Sequence, residues 1–144
     1  SVIAEASLSL EVPVTVKIGK EQFQIGTKEE FLHRRLAIQA ARRRAQMASP
    51  YNRGGKGRKR SMKAVEHYRD LETDYIQQKL HLYSRKLIDL CVKYRAATLL
   101  LVNQQAKEDL AKEDEFLLRN WGYSGLKEKI AYKAERAGIE VIEE

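Results

Sequence analysis

From Val2 to Phe23 the apolar side chains recur at every second position, with Leu8, Leu10, Val12, Val14, Val16 and Ile18 on one face and Gly19-Lys20 as a turn. A period of two matches extended chain with one buried face, so this stretch predicts three initial strands. The period then changes. Thr27 with Glu30 three residues later forms a capping box, which opens a helix through Phe31, Leu32, Leu36, Ala40 and Ala45 until Ser49-Pro50 breaks it. Ser61 begins a long helix whose apolar stripe, Val65, Tyr68, Ile76, Leu80, Tyr83, Leu87, Leu90 and Tyr94, repeats at helical spacing. Ala97 to Val102 is a continuous apolar run suited to a strand inside a sheet, buried on both faces. A polar stretch from Asn103 to Glu115 follows, then a helix from Ser124 to Ala137 stopped by Gly138, and a closing strand Ile139-Glu140-Val141-Ile142.

Charge changes the picture. Between Arg34 and Lys63 stand eleven Lys and Arg residues and no Asp or Glu, while the rest of the chain holds 16 basic and 20 acidic residues. Segregated positive charge of this kind neutralises rows of phosphates, and about six contacts give a slope near −5 in log K against log salt. Arg42-Arg43-Arg44 closes the first helix, and residues 49–60 read as a flexible basic loop whose glycines let backbone approach phosphates. A basic run can equally be a solvated helix face. The candidate nucleic-acid contacts are Arg34, Arg35, Arg42, Arg43, Arg44, Arg53, Lys56, Arg58, Lys59, Arg60 and Lys63, each positioning a backbone and none reading bases.

Other chemistry is sparse. The 144 residues and 43% hydrophobic content suit one domain with a real core, and the single Cys91 offers neither a disulfide framework nor a zinc set. No apolar run approaches the length that crosses a bilayer. His33, His67 and His81 have no ligand spacing, and His81 reads as a residue that buttresses the fold. Ser84 has no base at catalytic spacing. Trp121 and Tyr123 precede a helix, where packing is favoured over stacking on a base.

Three strands followed by helical crossovers to two further strands is the order of the RNase H-like fold, an α/β mixed sheet. Two runs carry a closer resemblance. His81-Leu82-Tyr83-Ser84-Arg85-Lys86-Leu87-Ile88, followed by Tyr94-Arg95-Ala96-Ala97-Thr98-Leu99-Leu100-Leu101, resembles the helix and central strand of RuvC-like domains in TnpB proteins and type V CRISPR effectors. Asn120-Trp121-Gly122-Tyr123-Ser124-Gly125-Leu126-Lys127, with Tyr132-Lys133-Ala134-Glu135-Arg136-Ala137-Gly138-Ile139-Glu140-Val141, resembles their next signature, and is the more specific of the two.

The resemblance implies an Asp on the first strand, a Glu ending the central strand and a third acid further on, together holding two Mg²⁺ ions for phosphodiester cleavage. Ser7 stands at the first position, within Ser7-Leu8-Ser9, and Val102 or Asn103 at the second. Glu5, Glu11 and Glu108 are the nearby acids that could substitute. In losing the Asp, Ser7-Leu8-Ser9-Leu10-Glu11-Val12-Pro13 resembles the first strand of the nuclease-inactive, transposon-associated type V-K effectors.

The expectation is therefore a single RuvC-like domain over residues 1–144, part of a longer cytoplasmic, nucleoid-associated prokaryotic protein. It would bind guide RNA and target DNA beside the effector's remaining domains or another chain, and transposition proteins, with no catalytic residues, no cofactor and no membrane. Two alternatives stay open. One is a fragment or mutant of an active Mg²⁺-dependent RuvC endonuclease completed by acids elsewhere, the only case that requires Mg²⁺. The other is a protein-recruiting module docking through the acidic half from Glu108 to Glu144.

Overall fold

The computed structural model describes residues 2–48, 55–103, 105–106, 108 and 122–144. Its elements are β1 (Val2–Leu8), β2 (Val14–Ile18), β3 (Glu21–Ile25), α1 (Lys28–Ala48), α2 (Gly55–Lys93), β4 (Ala96–Val102), α3 (Tyr123–Arg136) and β5 (Glu140–Glu143). Residues 105, 106 and 108 are also helical, in the stretch read from sequence as a polar connection. Among the described residues no helix is long and apolar enough to cross a membrane.

The chain divides into two compact units, where composition predicts one domain: Ser1–Lys28 with Lys79–Glu144, and Glu29–Gln78. The first unit contains one five-stranded sheet in the order β3-β2-β1-β4-β5. β1, β2 and β3 pair antiparallel, and β1-β4 and β4-β5 pair parallel. This is the α/β mixed sheet expected from the sequence, with all three opening strands followed by the two crossovers.

Alternation decides which face is buried. Ala4, Ala6 and Leu8 of β1, Val14, Val16 and Ile18 of β2, and Leu99 and Leu101 of β4 form the core face. Leu80, Tyr83, Leu87 and Cys91 of α2 and Leu126, Ile130 and Ala134 of α3 complete the core. β4 is less symmetric than its unbroken apolar run predicts: Leu100 and Val102 are half-buried and Ala97 is exposed. The opposite face of β1 carries Glu5 and Ser7.

Two glycines are needed where they stand. Gly26 has φ +78°, and a Cβ there would lie 2.6 Å from the Tyr83 ring, so only glycine allows the chain to turn against that aromatic. Gly138 has φ +74° and follows α3, with Ile139 N–H donating to Ala134 O at 2.8 Å and Gly138 N–H to Glu135 O at 3.1 Å. Those two bonds make a Schellman ending, as the sequence predicts from Gly138.

The second unit is a helical hairpin made by α1 and residues 55–78 of α2. Phe31 stacks on Tyr75 with ring centroids 6.4 Å apart, the Tyr75 hydroxyl donates to Glu30 O at 2.8 Å, and Arg35 faces Glu72. Partners that fall in number along α2 as they rise along α1 define an antiparallel pair. The buried face of α1 is Phe31, Leu32, Arg35, Ile38 and Gln39, at helical spacing. The stripe expected from apolarity alone ran through Leu36 and Ala40, but Leu36 is 42% exposed, because Arg35 and Gln39 take the inward positions.

α2 begins at Gly55, not at Ser61. Residues 55–60, expected as part of a flexible loop, are therefore helical. Gly55 and Gly57 fall in the first turn, where backbone N–H groups have no intrahelical partner to lose, and Arg and Lys are good helix formers. Residues 49–54 of that expected loop lie outside the described residues.

Candidate nucleic-acid interface and the acid positions

Of the eleven basic residues singled out from the sequence, eight are described at the surface of the hairpin. Arg34, Arg43 and Arg44 are exposed and Arg42 is half-buried on α1. Arg58, Lys59, Arg60 and Lys63 are exposed on the first turns of α2. Gln46 shares a groove of about 290 Å³ with Met62, Val65, Glu66 and Arg69, so the end of α1 lies beside the early turns of α2. Arg34 lies over the Tyr75 ring at 5.9 Å. Lys56 lies in the first turn of α2, and Arg53 is outside the described residues.

Arg35 is buried and corrects the sequence-based assignment. It is 1% exposed, its Nε is 3.8 Å from Glu72 Oε1, and it lies 5.8 Å over the Phe31 ring. Burial pushes its pKa down, Glu72 pulls it up, and Arg42 pushes it down again. An arginine in that setting holds the two helices together and has no surface to offer a phosphate. Its partner is 37 positions away in sequence, so nothing local distinguishes it from Arg34.

Register decides which residue stands beside Ser7. Ser7 pairs with Val102 across the parallel β1-β4 ladder, on the half-buried face. Asn103 is 2% exposed and has the parity of Leu99 and Leu101, so it belongs to the core side. Of the two candidates for the second position, Val102 is the one beside Ser7.

The substitute acids are each elsewhere. Glu5 shares the face of Ser7, opposite Leu100, but two residues along a strand is about 6.6 Å. Glu11 lies beyond the end of β1 and is paired with Lys28 at 3.2 Å. Glu108 is exposed on the helical residues after β4. Among the described residues no group of three or more His, Cys, Asp or Glu could hold a metal ion. A hydroxyl and an isopropyl group are not the donor set of a hard divalent cation, so the residues present do not fit Mg²⁺.

The remaining candidates are structural. Ser84 is buried and its hydroxyl donates to Leu80 O at 2.7 Å. His81 does not buttress the core as expected, because its ring is exposed, although its carbonyl accepts from Lys133 Nζ at 2.9 Å. Tyr123 is buried, with desolvation raising its pKa, as its packing role requires. Trp121 lies outside the described residues.

No protein-family model matches the chain. Curated relatives do. The chain is 37% identical over 90 residues to the CRISPR-associated endodeoxyribonuclease Cas12f1 of Sulfoacidibacillus thermotolerans, covering 62% of this chain and 21% of that protein. It is 30% identical over 90 residues to the Cas12f1 of Syntrophomonas palmitatica, covering 62% of this chain and 18% of that one. The matched segment thus spans about a fifth of the curated relatives' length. Among solved structures, a Cas12f1-sgRNA-target DNA complex superposes on 99% of this chain with a TM-score of 0.73 at 19% identity, and a CRISPR-Cas12f ternary complex with a TM-score of 0.75 at 19% identity. In each case the match covers 28% of the larger chain.

Proposed function

We infer, for a chain homologous to a segment of the Cas12f1 proteins, which are TnpB-like type V effectors, and sharing their RuvC-like fold, that it grips nucleic acid within an RNA-guided effector and does not itself cut. The observation that carries this reading is Ser7 standing opposite Val102. Two-metal phosphodiester cleavage requires carboxylates to hold the ions at such a point. The chain keeps a cationic surface of Arg34, Arg42, Arg43, Arg44, Arg58, Lys59, Arg60 and Lys63, and offers no carboxylate at that pair.

On this reading guide RNA and target DNA are the partners, held through their backbones while base pairing supplies sequence. The effector's other domains, or another chain, and transposition proteins are further partners, and the setting is the prokaryotic cytoplasm near the nucleoid. The test is the affinity for a labelled RNA–DNA heteroduplex as salt is raised. About six phosphate contacts give a slope near −5, and a flat salt response overturns the reading.

A second reading rests on the matched relatives being endodeoxyribonucleases about five times longer than the matched segment. There, acids outside this chain complete a metal site. Mg²⁺-dependent cleavage by the chain joined to the relatives' remaining segments, and none by the chain alone, favours it.

A further inference from the structure

We propose that the groove between α2 and α3, lined by Arg85, Lys133 and Arg136, is a second phosphate-binding surface that takes the backbone of one nucleic-acid strand. This rests on the nucleic-acid reading above but concerns residues outside the basic run from Arg34 to Lys63, in the part of the chain whose formal charge is net negative.

The groove has a volume of about 300 Å³, and Asp89 is the one carboxylate among its described lining residues. Helical spacing builds it. Lys129, Lys133 and Arg136 are four and three residues apart and share one face of α3, whereas Glu128 and Glu135 share another. His81, Arg85 and Asp89 are successive i, i+4 positions on α2. From Lys129 to Arg136 the helix rises about 10 Å, room for a short run of backbone phosphates.

Lys133 is held in place without being neutralised by its hydrogen bonds. Lys133 Nζ donates to Ser84 Oγ at 2.7 Å and to His81 O at 2.9 Å, both uncharged acceptors. Burial lowers the Lys133 pKa, and Arg85 and Lys129 lower it further against the pull of Asp89. Desolvation lowers that of His81, and Lys133 and Lys129 add to it. Mutual repulsion of this kind is unfavourable in the free fold and is relieved by an anion seated between the charges. Arg136 also lies over the Tyr132 ring at 5.1 Å, and the Tyr132 hydroxyl is 3.4 Å from His81 Nδ1. An aromatic and a planar guanidinium at the rim suit a nucleotide better than an acidic peptide.

The test follows the His81 ring by NMR while a short oligothymidylate is added to the whole chain. It is run on the native protein and on the Arg42→Glu/Arg43→Glu/Arg44→Glu variant. A phosphate in the groove raises the His81 pKa in both proteins, and Lys129→Glu/Arg136→Glu weakens binding about tenfold in each. Binding that leaves His81 and the Lys129/Arg136 variant unchanged overturns the groove and spares the nucleic-acid reading. Absence of any binding overturns both. A polyglutamate peptide that raises the His81 pKa more than the oligonucleotide at equal salt overturns the assignment to nucleic acid.

Discussion

Ser7 and Val102 face one another across adjacent parallel strands, about 4.8 Å apart in backbone spacing, on the half-buried side of the sheet. Two carboxylates placed there would reach a common cation. Ser7→Asp/Val102→Glu should therefore acquire a melting temperature that rises with Mn²⁺, because an ion bound only by the folded state stabilises it by about 1.4 kcal/mol at ten times its Kd. The native chain should show no such rise. Thermal denaturation of both proteins across a Mn²⁺ series checks this, and equal responses contradict it.

Buried Arg35 and half-buried Glu72 face one another inside the helical hairpin. Removing one partner leaves the other charged and desolvated, so Glu72→Ala should cost about 3 kcal/mol. Arg35→Met/Glu72→Leu should recover most of that loss, since it removes both charges and keeps volume. Urea denaturation measures the stabilities, and the double variant should retain its affinity for polyanions because Arg35 is not on the surface.

Charge reversal on the exposed part of α1 has a different signature. Arg42→Glu/Arg43→Glu/Arg44→Glu should leave the helical circular dichroism intact while reducing the salt slope of heteroduplex binding by about 3. An unchanged slope would mean that these side chains meet no phosphate.

Cys91 is fully buried, and desolvation holds its thiol pKa at about 11 against an ordinary 9.0. Between those values the unfolded chain has lost the proton and the folded chain keeps it, so this group's contribution to stability is complete below about pH 9 and lost as pH rises toward about 11. Denaturation midpoints measured from pH 8 to 11 should fall less steeply for Cys91→Ala than for the native chain. At neutral pH the native thiol should resist alkylation until the protein is unfolded.

The strand and helix order was legible because each element carries its own period. Val14, Val16 and Ile18 read as one face of a strand, and Leu80, Tyr83 and Leu87 as one face of a helix, without any tertiary knowledge. What escaped depends on partners distant in sequence. Arg35 looks like any surface arginine until Glu72 is brought beside it. Whether Val102 or Asn103 stands opposite Ser7 is a one-residue choice that only the β1-β4 register can make, since a slip by one exchanges the faces. The early start of α2 escaped for a local reason: Gly55 and Gly57 signal a loop, yet in a first turn they cost a helix little. Local signals likewise could not join the stripe at Lys129, Lys133 and Arg136 to Arg85.

On the proposed reading, a RuvC-like scaffold holds polynucleotide without cutting it. The most direct measurement mixes the chain with end-labelled single-stranded DNA and RNA–DNA heteroduplex in Mg²⁺ and in Mn²⁺, then resolves the same samples on native and denaturing gels. Retarded bands that weaken as salt rises and labelled strands that stay full length are expected. Shortened strands appearing only with the divalent ion would contradict that reading.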